Sequence, residues 1–282
     1  MLTPRARDLD LSRPLAEFAE RGYARLGQVL TTEGACRLTT RAAALMQGEV
    51  RYPHMFFQHD SPSGRYEDLV FNEGWVGPSQ AYRKLEHLEM DPLFLAWIEN
   101  PLFERLAHAV LGQDVTLYRS VLWNKAPGGG MAVPWHQDDG RFWGLDRPPV
   151  LQVWTALDDA PLASGCLEVL PGSHLSGLAT REGGTIPSDC LERAQADVCA
   201  QSLPARCGES ILVHNHTWHR TGRNHTASPR RALSVSFLSS EVSCVRRRRA
   251  PRRFMRLFGG DPHAVDETGR SREIGGVLPS PG

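Results

Sequence analysis

Arg230-Arg-Ala-Leu-Ser-Val-Ser-Phe-Leu-Ser-Ser240 alternates two kinds of side chain. If the segment is extended, successive residues face opposite ways, so Arg230, Ala232, Ser234 and Ser236 share one face and Arg231, Leu233, Val235 and Phe237 the other. The second face is apolar and can pack against an outer helix or another sheet, whereas the first is lined by small residues that leave room. Four further runs have the same short β-branched or aromatic texture between Gly, Pro and Asp: VTLYRSVLWNK (115–125), VLQVWTAL (150–157), CLEVLPGSH (166–174) and SILVHN (210–215). Several short strands with turn signals imply a sandwich or barrel.

The chain ahead of this region reads differently. TTEGACRLTTRAAALMQGE (31–49) has a capping threonine, an early Glu33, and Leu38, Ala42 and Leu45 at helical spacing. An irregular Pro- and Gly-containing stretch from Tyr52 to Ala81 follows. Asp91-Pro92 and Asn100-Pro101 then each look like a cap followed by a proline in the first helical position, predicting two short consecutive helices. The chain therefore reads as one domain of mainly β class with flanking helices: a largely helical flank over 1–112, a β core over 113–240, and a basic segment with a tail over 241–282. Val245-RRRRAPRRFMRLF258 is strongly basic, read as a solvated edge or packing against acidic patches, and the Gly-, Pro- and charge-rich tail beyond it reads as partly disordered.

A chain of 282 residues is long enough for a sizeable core, and a single barrel or sandwich of roughly 200–250 residues is ordinary. With 32 Lys+Arg against 32 Asp+Glu, no global charge recruits nucleic acid or an anionic membrane. The start lacks a signal-peptide apolar segment, and no run approaches the ~18 apolar residues of a membrane span. The six cysteines are scattered without a C-x-x-C pair, which predicts reduced thiols in a cytoplasmic protein. Neither an obligate protein partner nor membrane insertion is predicted; a small-molecule substrate is.

Chemistry concentrates in V133-P-W-H-Q-D-D-G-R-F-W-G144. On an extended segment His136 and Asp138 project to the same face and can bind one cation. An imidazole and a carboxylate are two of the three ligands of the two-histidine, one-carboxylate facial triad, which suits non-haem Fe(II) and leaves positions open. H-x-D alone is weak, and a second histidine must come from elsewhere. His214, His216 and His219 in ILVHNHTWHRTGRNHTASPRRALSVSF compete for that place.

From about Leu117 to Phe237 the chain resembles the phytanoyl-CoA dioxygenase family of Fe(II)/2-oxoglutarate oxygenases. The resemblance rests on four motifs in order: WHQD (135–138), LQVWTALDDAPLASGCLEVLPGSH (151–174), HRTGRN (219–224) and PRRA (229–232). Weaker similarity reaches back to GYARLGQVL and to RKL at 83–85. The family implies a double-stranded β-helix, a cupin-like jelly roll, with helices packed outside. It implies His136, Asp138 and His219 as ligands of Fe(II), leaving His214 and His216 as neighbours and His174 and His225 as loop or turn residues. For the 2-oxoglutarate cosubstrate, the family places an arginine eleven residues after the distal histidine, at Arg230. Residue alternation permits only one of Arg230 and Arg231 to face inward, and the small-residue face favours Arg230. Resemblance also assigns cosubstrate contacts to Thr221 and Lys84, and turns Gln152 and Trp154 towards the pocket, although core packing would explain Trp154 equally well. Lys125 is left unassigned.

The resemblance thus implies an oxygenase that uses Fe(II), 2-oxoglutarate and O2, releases succinate and CO2, and most simply hydroxylates an unactivated C–H bond of a small organic molecule. Desaturation, ring closure and epoxidation stay open. Halogenases of this broad type replace the carboxylate ligand with a small residue, and Asp138 argues against that chemistry. The alternatives are a cupin-like metalloenzyme that does not use 2-oxoglutarate, against which Arg230 and Thr221 speak, and a non-catalytic binding protein. Met55-Phe56-Phe57, Trp75 and Phe142-Trp143 are candidates for an apolar pocket or for ordinary packing.

Overall fold

The alternating segment forms a strand from Arg230 to Ser239 inside the larger of two antiparallel sheets. The computed structural model describes residues 9–71, 74–141, 143–246 and 252–259. In chain order the elements are α1 (Ser12–Arg21), β1 (Tyr23–Gln28), α2 (Thr32–Gln47), β2 (Phe56–His59), β3 (Tyr82–Glu86), α3 (Pro92–Ile98), α4 (Pro101–Leu111), β4 (Val115–Lys125), β5 (Val133–Gln137), β6 (Leu151–Ala156), β7 (Leu167–Val169) and β8 (Gly184–Thr185). They continue as α5 (Ser188–Arg193), α6 (Ala196–Cys199), β9 (Gln201–Leu203), β10 (Glu209–Val213), β11 (His219–Thr221), β12 (Arg230–Ser239) and β13 (Met255–Phe258). The larger sheet runs β1-β10-β6-β12-β4-β3-β2, with β13 also paired to β4, and the smaller runs β8-β5-β11-β7-β9.

Two cores follow from the alternation along β12. Leu233, Val235 and Phe237 join Leu122, Val153 and Leu212 in the main apolar cluster, which the helices supply with Leu38, Leu45, Trp97, Phe103 and Leu106. The opposite face, through Ala232, joins Trp154, Ala156, Ile211 and Val213 with Leu167, Val169 and Leu203 of the smaller sheet. The first core attaches the helices; the second holds the sheets together and borders the space between them. This two-sheet jelly-roll architecture agrees with the fold class read from the sequence.

The helices start where their caps say. The Thr31 hydroxyl accepts from Gly34 N at 2.9 Å. Asp91 and Asn100 cap α3 and α4 through Leu93 N at 2.9 Å and Leu102 N at 2.8 Å, each followed by its proline. Each side chain satisfies an amide that the first helical turn leaves without an intrahelical acceptor.

The flank over 1–112 is less helical than the sequence suggests. It supplies β1, β2 and β3 to the larger sheet, and β2 lies inside the stretch read as irregular. The four residues of β2 are too few to show a period, and β3 (YRKLE) carries two residues of kinds depleted in strands, Lys84 and Glu86. Tertiary pairing decides both, β3 to β4 and β2 to β3. In the basic segment, β13 pairs with β4, Arg252 donates to the Tyr118 carbonyl and Arg256 pairs with Asp114 at 3.0 Å. Residues 247–251 of that segment and the tail from residue 260 lie outside the described residues. All six cysteines are free, and among the described residues no helix is long and apolar enough to cross a membrane.

The two faces of β12 should respond differently to truncation. Phe237→Ala, which empties a fully buried site packed edge-on against Phe103 at 6.2 Å, should cost about 3–5 kcal/mol by urea unfolding. Ser234→Ala on the cleft side should cost about 1 kcal/mol or less. Equal losses would contradict this division of the faces.

Candidate active site

His136 and His219 stand directly opposite one another in the antiparallel β5–β11 ladder. Directly opposed residues project to the same side of a sheet, and the two rings lie 4.0 Å apart between centroids. Asp138, two residues beyond His136, returns to that side. Its carboxylate oxygens are 3.9 Å from His136 Nε2 and 3.6 Å from His219 Nε2. One potential ligand atom from each of the three residues falls within 4.8 Å of the others.

Backbone carbonyls set the histidine tautomers. His136 Nδ1 lies 2.8 Å from the Pro134 carbonyl and His219 Nδ1 2.9 Å from that of Thr217. A carbonyl oxygen only accepts, so each Nδ1 carries the proton and donates, leaving a lone pair on Nε2, the atom that faces Asp138. Burial, reinforced by the nearby His219, lowers the His136 pKa to about 4 despite Asp138, so its ring is neutral at ordinary pH. Burial alone would raise the Asp138 carboxyl, but His219, His136 and Arg119 outweigh it and, with a hydrogen bond from Gln152, keep it below the usual range. The result is two imidazole nitrogens, that of His136 kept neutral by burial, facing one anionic oxygen donor.

The loop after β10 fixes where Asp138 points. Asp138 N donates to Asn215 O at 2.9 Å, and His216 Nε2 meets Asp139 Oδ2 at 2.7 Å. Gln137, facing away from the triad, donates to the Gly177 carbonyl at 2.8 Å and to that of His216 at 2.6 Å. Gly183, at φ +71°, lies so close to this strand end that a Cβ would sit 1.5 Å from Asp139 O. His214 is outside the triad: its Nδ1 accepts from His216 N at 3.0 Å, and its ring packs near His174 and Phe18.

The triad forms part of the wall of a cleft between the sheets, with about 680 Å³ of space that includes its open mouth. Thr221, Gln152, Trp154 and Arg230 also line it. Gln152 Oε1 accepts from Ser236 Oγ at 2.8 Å, which directs its amide nitrogen to Asp138. Arg230 is 2% exposed. Its Nη2 donates to Gly165 O at 3.0 Å, its Nε has no acceptor, and no described carboxylate forms an ion pair with it. Burial lowers its pKa to about 10, so it stays charged. Arg231, on the opposite face, is held in bidentate fashion by Asp158 at 2.7 and 2.8 Å. Gly165 is itself constrained, since at φ +72° an added Cβ would lie 2.1 Å from Gly222 O.

This donor set fits a ferrous ion, and the buried guanidinium with an unsatisfied N–H fits the free carboxylate of a dicarboxylic cosubstrate. Lys84 is placed differently from the sequence assignment. It is not part of the cleft wall; its ammonium pairs with Glu86 at 2.5 Å, and Glu86 also binds Arg119. Its neighbour Arg83 lines the cleft instead, together with Lys125. Alternation along VTLYRSVLWNK could have revealed Lys125, since it shares a face with Trp123, another wall residue. Of the residues considered for a pocket, Met55 and Phe57 belong to the outer core, Trp75 packs on it, and Trp143 packs near Tyr118. None of these lines the cleft, and Phe142 lies outside the described residues.

Comparison with known proteins supports the same reading. The family model for phytanoyl-CoA dioxygenase matches residues 18–232. The mouse phytanoyl-CoA dioxygenase domain-containing protein 1 is 29% identical over 188 residues, covering 62% of this chain and 64% of the relative. The Arabidopsis thaliana phytanoyl-CoA dioxygenase is 31% identical over 159 residues, 54% of this chain and 55% of that one. The chain thus aligns with somewhat more than half the length of these relatives. Among solved structures, EctD from S. alaskensis with 2-oxoglutarate and 5-hydroxyectoine superposes with a TM-score of 0.67 at 19% identity, over 92% of this chain and 91% of that one. The epimerase SnoN in complex with Fe3+, alpha ketoglutarate and nogalamycin RO gives 0.66 at 18%, over 89% and 96%. At such identities the structures establish a shared fold. The match across most of the sequence assigns the chain to the phytanoyl-CoA dioxygenase family.

Proposed function

We propose that this chain is an Fe(II)/2-oxoglutarate-dependent oxygenase that hydroxylates a small organic molecule. The observation that carries the reading is the convergence of the His136 and His219 Nε2 lone pairs with the Asp138 carboxylate in a cleft that also holds the unpaired Arg230 guanidinium. His136, Asp138 and His219 would hold the metal. Arg230 would pair with the distal carboxylate of 2-oxoglutarate, with the Thr221 hydroxyl beside it. When bound, iron, 2-oxoglutarate and oxygen supply oxidising power sufficient for an unactivated C–H bond, releasing succinate and CO2.

The chain's own residues prepare that chemistry. The Pro134 and Thr217 carbonyls hold the Nδ1 protons, so both imidazoles offer Nε2 without a tautomer change. Gln152 orients Asp138 by donating to it. Trp154 and Leu167 give the cleft wall apolar surface that would restrict water around the bound groups. A metalloenzyme without 2-oxoglutarate would have no evident use for a buried, unpaired Arg230.

Anaerobic Fe(II) plus 2-oxoglutarate should give a visible metal-to-ligand charge-transfer band, and air should then yield succinate. His219→Ala should lose both, weakening iron by more than the ~10–100-fold typical of outer-sphere changes, while His214→Ala keeps the band. Loss of iron in the His214 variant alone would relocate the distal ligand. Arg230→Ala should weaken 2-oxoglutarate about 10–100-fold, as expected for a lost charged hydrogen bond, and Arg231→Ala should do so far less. A larger loss for Arg231 would reverse the assignment.

The metal-free protein should also lose stability in acid. Burial depresses His136 to about 4, and burial together with His174 and His216 depresses His214 to about 3. Below the ordinary histidine value of ~6.5 the unfolded chain takes up these protons while the folded chain does not. The stabilisation is complete above about pH 6.5 and is lost as the pH falls towards those depressed values. The urea midpoint should be lower at about pH 5 than at about pH 7, with a shallower fall in His214→Gln. An unchanged midpoint in the parent protein would contradict burial of neutral rings.

A further inference from the structure

Arg83 is 8% exposed and lines the same cleft as the triad. Its Nη1 donates to Gln58 Oε1 at 2.7 Å, and Gln58 is held in that orientation because its own amide nitrogen donates to Val70 O at 2.8 Å. The guanidinium carbon stands 5.4 Å from the centre of the Trp123 ring. Among the described residues no carboxylate forms an ion pair with Arg83. Two carboxylates act on it from further away. Glu86 is taken by Lys84 and Arg119, and Asp60 accepts from Met131 N at 3.0 Å through Oδ2, with Oδ1 lacking a donor. A buried guanidinium whose partner is a neutral amide has lost most of its hydration without a countercharge, an unfavourable state that an oxyanion would relieve.

The proposed cosubstrate does not account for this cation. On the reading above, one carboxylate of 2-oxoglutarate goes to iron and the other to Arg230 on β12. Arg83 lies on β3, with β4 between the two strands. Neighbouring strands are about 4.8 Å apart, so the two guanidinium groups belong to strands about 10 Å apart. Other ionisable groups border the same cleft. Ferrous iron and 2-oxoglutarate cancel, which leaves Arg83, Lys125 and Arg230 facing Asp60 and Asp138 across the cleft. The ammonium of Lys125 donates only to the Met131 carbonyl, and burial with the charges of Arg230 and Arg83 depresses its pKa strongly.

We infer that Arg83 forms a second anion subsite in the cleft, and that the primary substrate is a small organic acid whose carboxylate or phosphonate oxygens dock on it. This rests on the Fe(II)/2-oxoglutarate reading and adds the substrate's charge class to it. Arg83 acts here as a specificity determinant, orienting the substrate relative to the metal through an end remote from the reacting carbon.

The test uses the anaerobic full chain saturated with Fe(II) and 2-oxoglutarate, with acetate and methylphosphonate as minimal probes and chloride at matched ionic strength as control. Either probe, near saturation, should raise Tm by about 2 °C or more in the parent protein. Protection by acetate alone would identify a carboxylate subsite, and by methylphosphonate alone a phosphonate subsite. Arg83→Gln should abolish the shift and Arg83→Lys should keep part of it, while the 2-oxoglutarate dissociation constant, read from the charge-transfer band, stays within about twofold in both because that carboxylate pairs elsewhere. In air, carboxylic acids or phosphonates from a matched panel should stimulate succinate release at least about tenfold more than their methyl esters or amides, the discrimination typical of a charged hydrogen bond. Absence of the band would overturn the oxygenase reading itself. A normal band without protection by either probe, or equal stimulation by neutral analogues, would overturn the subsite alone. A more than tenfold loss of 2-oxoglutarate affinity in Arg83→Gln would assign Arg83 to the cosubstrate instead.

Discussion

Cross-strand registry between β5 and β11 is the constraint on which the site depends. His219 opposes His136 in an antiparallel ladder, and the period of two along a strand returns Asp138 to the side of His136. A one-residue slip would send His219 to the other face of the smaller sheet and dissolve the cluster. Several contacts oppose that slip. β11 is also paired with β7, Gln137 is anchored by two carbonyls, and the Asp138 amide is held by Asn215. The three residues of β11 could not hold register unaided; they are placed by what surrounds them.

The larger sheet contributes charge and shape. β12 carries its apolar side chains to the helices and its small ones, with Arg230, to the cleft. Arg230 is therefore buried by the same alternation that builds the core. Arg231, adjacent in sequence, satisfies its charge with Asp158 on the far side. One strand thus supplies a guanidinium kept paired and one kept available, and the difference is a single residue of phase.

Much of this was legible in the sequence because it depends on short-range rules. Period two located the faces of β12, proline after Asp91 and Asn100 located two helix starts, and H-x-D placed two side chains on one face. What was not legible depends on long-range pairing. β2 has too few residues and β3 too many charged groups to announce themselves, and they become strands by pairing, β3 to β4 and β2 to β3. Lys84 shows the same limit at the site. Sequence resemblance pointed to its ammonium, but Glu86 lies two positions along the same short strand and captures it. No rule of local spacing distinguishes a lysine aimed at a ligand from one neutralised by its neighbour.

The energetic character of the cleft follows from these placements. A folded chain ordinarily pairs its buried charges, because an uncompensated one is costly and single mutations that create one are among the most destabilising. Here Arg230 retains an N–H without an acceptor, Arg83 faces a neutral amide, and Lys125 faces one carbonyl. The rest of the fold supports that cost through its two apolar cores and the capped helices packed outside. The return comes on binding, since the groups left short of partners in the free protein are those an anionic ligand would satisfy, and stabilisation of the folded state rises with ligand occupancy. A cleft filled with apolar side chains would be more stable and would have nothing to offer an acid.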